Sequence, residues 1–116
     1  MSLVNRAAVV IKPKQPFLDW LRHLPQPVPD QELASASQDL AVYLVPESEH
    51  PAAIERGIYG EFDFFFEDML ESWWSEEKDF PKDRTLAMFQ AWFTVEVHSV
   101  VEDLVDGPLG VEDESE

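Results

Sequence analysis

Apolar residues recur along Gly60 to Glu77 at helical spacing. Phe62, Phe65, Phe66, Met69, Leu70, Trp73 and Trp74 stand at i, i+3, i+4, i+7, i+8, i+11 and i+12. That puts all seven on one face of an α-helix. Glu67, Asp68, Glu71 and Ser72 take the other face. The pattern predicts a helix from about Glu61 to Glu76, ended by Phe80-Pro81. Burying one large apolar side chain is worth roughly 1.5–3 kcal/mol, so this face is expected to be the largest single contribution to the core. Phe64 points away from the stripe, toward the acidic side.

The remaining chain reads as elements around that helix. Leu3 to Ile11 is rich in β-branched residues and stops at Lys12-Pro13, which predicts a strand. Its apolar run Ala7 to Ile11 suits an interior strand covered on both faces or nearly so. Gln15 to Leu24 predicts a short amphipathic helix, with Pro16 in its first turn and Phe17, Trp20, Leu21 and Leu24 on one face. Pro25, Pro27 and Pro29 break it. Asp30 to Asp39 reads as a loop with at most one helical turn. Leu40 to Val45 is a second strand, apolar on both faces. Pro51 opens a helix that leads through Ile54 and Ile58 toward Phe62, with a break expected at Gly57 and Gly60. Asp83 is the expected N-cap of a further helix, from Arg84 to about Trp92.

Thr94 to Leu104 fits two periods. A helix would align Phe93, Val97, Val100, Val101 and Leu104. A strand would turn Val95, Val97 and Val101 inward and Thr94, Glu96, His98 and Glu102 outward. Five valines and one threonine between Thr94 and Val105 favour the strand.

This order is strand, helix, strand, helix, helix, strand. If each short connection reverses direction, the first two strands run parallel through a right-handed crossover. Two successive helices then return the third strand antiparallel. The expected fold class is α+β: a two-layer domain with a small mixed three-stranded sheet, helices on one face, related to a ferredoxin-like fold lacking one strand. Residues 1–106 form the domain. Residues 107–116 begin with a Gly-Pro-Leu-Gly break and end in an acidic tail expected to be disordered. A three-stranded sheet has two free edges, which makes a homodimer possible.

Composition narrows the function classes. The 116 residues are 45% hydrophobic and 12% aromatic, enough for one domain with its own core. There is no cysteine, which removes disulfides, thiolate metal sites and cysteine nucleophiles. No apolar run approaches the roughly 18 residues of a membrane span, and the start of the chain lacks the pattern of a secretory signal. The expected compartment is the cytoplasm. Eight basic residues stand against 24 acidic ones, a net charge of −16. Such a chain repels nucleic acid and anionic membranes and attracts basic protein surfaces or cations.

Three stretches, NRAAVVIKPKQPFLDWL, VYLVPE and DRTLAMFQAWFTVEVHSVVEDL, resemble a small family of short, acidic bacterial proteins with no assigned function. They cover under half of the chain. The resemblance implies a bacterial, cytosolic α+β protein and transfers no catalytic residue.

Candidate chemistry is sparse. Glu96, His98 and Glu102 would share one strand face, and histidine with carboxylates suits zinc, iron or manganese. Glu47-Ser48-Glu49-His50 holds a single ExxH where helical di-iron sites need two. Glu67, Asp68 and Glu71, on a helix without a compensating Lys or Arg, form an acidic face that could meet a basic partner or a cation. Phe64, an aromatic off the core face, suggests either a second packed layer or an interface anchor. No motif for nucleophilic catalysis, phosphate binding or a dinucleotide is present, and no cofactor is implied. The leading expectation is a non-enzymatic interaction domain that forms a homodimer by its sheet edge or open face, with Phe64, Glu67, Asp68 and Glu71 as interface residues. An acidic inhibitor or nucleic-acid mimic, filling a basic protein groove, is the first alternative. A metal-dependent enzyme using Glu96, His98 and Glu102 is the second.

Overall fold

The apolar run near the start of the chain forms the central strand of a three-stranded sheet. The computed structural model describes residues 2–38 and 40–110. Its elements are β1 (Ser2–Leu3), β2 (Arg6–Pro13), α1 (Gln15–Arg22), α2 (Asp30–Ala36), β3 (Val42–Pro46), α3 (Pro51–Gly60), α4 (Phe62–Glu71), α5 (Leu86–Trp92), β4 (Phe93–His98) and β5 (Glu102–Asp103). A single turn of 3₁₀ helix, Glu77–Asp79, separates α4 from α5. The α+β class expected from the pattern is the one observed.

The strand order is β3-β2-β4. Ala7, Val9 and Ile11 of β2 are fully buried beneath the helices. Tyr43 and Val45 of β3, with Phe93, Val95 and Val97 of β4, complete that face. Burial of alternate residues follows from the period of two along a strand. The opposite face carries Ala8, Val10 and Lys12 in the middle, Val42 and Leu44 on one side, and Thr94, Glu96 and His98 on the other. The helices lie on one side only, so β2 is interior in the sheet but covered on one face rather than two.

The sheet is antiparallel throughout, not mixed. β2 pairs antiparallel with both β3 and β4, where the pattern implied a parallel crossover from β2 to β3. The reason is α2. Asp30 to Ala36 makes two turns of helix, with Leu33 and Ala36 buried and the acidic Asp30 and Glu32 in its first turn, where the helix dipole favours them. Two helices therefore intervene between β2 and β3, and the second reversal brings β3 back antiparallel.

The stretches Leu3 to Ile11 and Thr94 to Leu104 are strands interrupted at the same level. β1 and β5 pair as a small second sheet beyond β2 and β4, joined to them by Val4 N–H donating to Val101 O at 2.7 Å. Ala8 stands opposite His98, so regular pairing would set Leu3 against Asp103, yet Leu3 faces Glu102. One extra residue on the first strand makes this a bulge, and the slip breaks the alternation of faces.

The acidic helix is shorter than its stripe. It breaks from α3 at Glu61, as the glycines suggested, but ends at Glu71 rather than Glu76. Its last turn holds no basic residue, and the carboxylates of Glu71, Glu76 and Glu77 would crowd the negative end of the dipole. Trp73 and Trp74 therefore lie beyond the helix, half-buried against the core. Trp74 Nε1 donates to Asp79 Oδ2 at 2.8 Å, and Trp20 Nε1 donates to Asp79 O at 3.0 Å. Asp83 does not cap α5. It adopts φ of +54°, a left-handed conformation that Asp tolerates better than most residues. The cap is Thr85, whose Oγ1 accepts from Met88 N–H at 3.2 Å.

Phe66 and Phe89 are fully buried at the centre of the helical layer. Phe66 packs at 6.0, 5.3 and 5.3 Å between ring centres from Phe89, Trp92 and Phe93. Residues 111–116, most of the tail expected to be disordered, lie outside the described residues.

Candidate functional site

Two surfaces collect the residues singled out from the sequence: the open face of the sheet and the exposed side of α4. On the open face, Lys12 Nζ lies 2.7 Å from Glu96 Oε2, and His98 Nε2 lies 3.5 Å from Glu96 Oε1. The hydrogen bond from Lys12 holds the Glu96 carboxyl below its ordinary range, aided by His98. Glu96 and His98 therefore come together as expected. Glu102 does not join them: it lies on β5 in the other sheet, four residues past His98, and an extended chain rises about 3.3 Å per residue. Lys12 supplies the positive charge that the Glu96 carboxylate faces at Oε2.

Among the described residues, the set of three metal-capable side chains whose ligand atoms fall within 4.8 Å of one another is Glu67, Glu71 and Glu77. Two of these belong to the acidic face of α4. The compensating cation absent from that helix comes from before α5. Arg84 Nε donates to Asp63 Oδ1 at 2.7 Å, and its Nη2 lies 3.6 Å from Glu67 Oε1. The same guanidinium sits 5.8 Å over the Phe66 ring and donates to Pro81 O at 3.1 Å. The Asp63 hydrogen bond, more than the neighbouring charges, raises the pKa of Arg84. Arg84 thus clamps α4 to the segment leading into α5. Arg84→Ala is expected to lower stability by about 1–3 kcal/mol, the range for a lost charged hydrogen bond in partial burial. Urea unfolding checks it; a change below about 0.3 kcal/mol would assign the clamp no energetic role.

Asp68 is engaged too. Tyr43 Oη donates to Asp68 Oδ2 at 2.6 Å, so the edge strand β3 is tied to α4. Burial, then the hydrogen bond and charge of Asp68, push the Tyr43 hydroxyl well above its ordinary pKa. Tyr59 is raised as well, by burial first and then by Glu55. A raised folded pKa favours the neutral hydroxyl. This stabilisation is complete below pH about 10 and is lost as pH climbs through the folded values. Alkaline titration is therefore expected to show tyrosinate absorbance rising together with loss of the native near-ultraviolet dichroism. A tyrosine ionising near pH 10, its ordinary value, with the fold intact would contradict this.

Phe64 is 62% exposed and meets Phe65 edge-on at 5.1 Å. It stands off the core, as its position away from the stripe implied. The open face exposes Val42 at 58% and Leu44 at 50%. The sequence signal for these two was the apolar run of β3 on both faces, which in a fold with one helical layer leaves one set uncovered. Arg84 and the Tyr43–Asp68 bond had no such signal, since their partners are 21 and 25 residues away.

Comparison with protein-family models, with curated proteins and with solved structures finds no match. Among the described residues, no helix is long and apolar enough to cross a membrane.

Proposed function

We propose that this protein is a non-enzymatic, cytosolic interaction domain that pairs with a second copy of itself through the open face of the sheet. The observation that carries the reading is the apolar flank of that face: Val42 and Leu44 on the edge strand β3, both at least half-exposed, beside the partly exposed Val10 of β2. Contiguous exposed apolar surface on a small domain marks an interaction site. Charge favours a self-interface at this place. Two copies of a chain at −16 repel each other, but the strands here present Arg6, Lys12 and Glu96, a nearly balanced set.

A three-stranded face is smaller than the roughly 800 Å² per partner of a standard interface. Beyond it, Leu3, Leu104 and Val105 on and after the β1–β5 pair are further exposed apolar residues. An affinity on the order of 1 μM is expected, typical of a small interface. The non-enzymatic part of the reading rests on the histidines, which stand apart. His23 Nδ1 lies 2.7 Å from Asp19 O, His98 stands beside Glu96, and His50 precedes α3.

Hydroxyl-radical footprinting at dilute and concentrated protein tests the reading. Val42, Leu44 and Val10 are expected to lose reactivity as concentration rises, while Phe64 keeps it. Protection of Phe64 with unchanged reactivity at Leu44 would move the interface to α4 and overturn the proposal.

A further inference from the structure

A groove lies between the last residues of β3 and helices α3 and α4. It is lined by Val45, Pro46, Ile54, Gly57, Ile58, Glu61 and Phe65, with a volume of about 280 Å³. That is below the roughly 300–1,000 Å³ of small-molecule sites and matches the entry of individual side chains. β3 has β2 as its one strand neighbour among the described residues, so its outer backbone edge is available for pairing. Val45 points into the groove from this strand.

Gly57 is the second, independent observation. It sits inside α3, three residues before the helix end, where glycine costs about 1 kcal/mol relative to alanine. A Cβ at Gly57 would meet no atom within 4 Å, so nothing within the chain excludes a side chain there. The glycine keeps the groove open. Gly60, by contrast, is the last residue of the helix, at the break before α4.

Charge specifies the occupant. Glu61 is in the groove wall, Asp68 is bonded to Tyr43 on the same strand, and Glu47 follows Pro46 directly. No Lys or Arg lines the groove. We propose that this groove docks an extended, basic segment of another protein, which adds a strand to the β3 edge. Alternate apolar side chains enter between Ile54, Ile58 and Phe65, and Lys or Arg residues meet Glu61, Asp68 and Glu47. Strand addition of this kind draws affinity from main-chain hydrogen bonds and specificity from alternate pockets. A second copy of this chain would bring like charge to an acidic rim. The docking does not depend on the open sheet face and stands if the chain is a monomer.

The test uses a synthetic peptide alternating leucine and lysine, and a counterpart with glutamate for lysine, titrated into the full chain labelled with ¹⁵N. The lysine peptide is expected to shift the amides of Val42 to Val45 and of α3, and to weaken at least tenfold on raising salt. Gly57→Leu is expected to stay folded and to bind at least tenfold more weakly, because its side chain fills the groove. Leu44→Lys, on the open face, is expected to keep the affinity. Equal binding of the glutamate peptide, unchanged affinity in Gly57→Leu, absence of binding to the wild type, or shifts confined to Val42, Leu44 and Val10 would each overturn the proposal. Should Gly57→Leu fail to fold, Glu61→Lys replaces it, with the same tenfold weakening required.

Discussion

Phe66→Ala is expected to lower the stability of the fold by about 3–5 kcal/mol, the range for deleting a fully buried aromatic ring. Phe66 has no exposed surface and touches Phe89, Trp92 and Phe93 from three sides. Arg84 lies over its ring. Phe66 stands on α4 and these neighbours come from α5, the segment before it and the start of β4, so the cavity cannot close by moving one element. The contact also joins the helical layer to the sheet through Phe93, which stands opposite Pro13 on β2. Small domains hold only about 5–15 kcal/mol of net stability. The variant should therefore unfold at far lower urea than the wild type, with a similar m-value. A loss below about 1 kcal/mol would show that Phe66 is not at the centre of the core.

The second large effect concerns association rather than folding. Leu44→Lys should raise the dimer dissociation constant by a factor of roughly 100 or more and leave monomer stability within about 1 kcal/mol. Burying one leucine is worth roughly 1.5–3 kcal/mol. A two-fold interface contains the site twice, so about 3–6 kcal/mol of association energy is at stake, and each 1.4 kcal/mol is a factor of ten. Leu44 is half-exposed in the single chain and faces Ala8 across the sheet, so lysine at this position meets water in the monomer. The outcome that sinks this account is a dimer of undiminished affinity. Lower monomer stability would instead mean that Leu44 is packed within its own chain.

Much of the architecture was legible where one force dominates. The stripe Phe62, Phe65, Phe66, Met69 and Leu70 faces the core because burial decides its orientation. The valines of β4 chose strand over helix for the reason given by their branching at Cβ. The parts that were not legible depend on smaller or non-local terms. α2 contributes two buried residues, Leu33 and Ala36, too few for a periodic signal, yet its presence reverses the direction of β3. The end of α4 at Glu71 follows from carboxylates at the wrong end of a dipole, an effect of about 1 kcal/mol or less that hydrophobic periodicity does not register. The rise of the strand separates Glu102 from Glu96 and His98, and the one-residue bulge between β1 and β2 leaves no mark in composition. For the candidate surfaces, the off-stripe position of Phe64 and the two-sided apolar pattern of β3 were readable. The groove was not, because it needs Gly57 and the β3 edge to be adjacent in space.

The most direct test of the central claim is the mass of the wild-type chain in solution, by sedimentation velocity across concentration at low and high salt. The expected result is a reversible dimer that tightens as salt screens the repulsion between two chains of −16. A monomer at every concentration up to the solubility limit, at both salt levels, would contradict it.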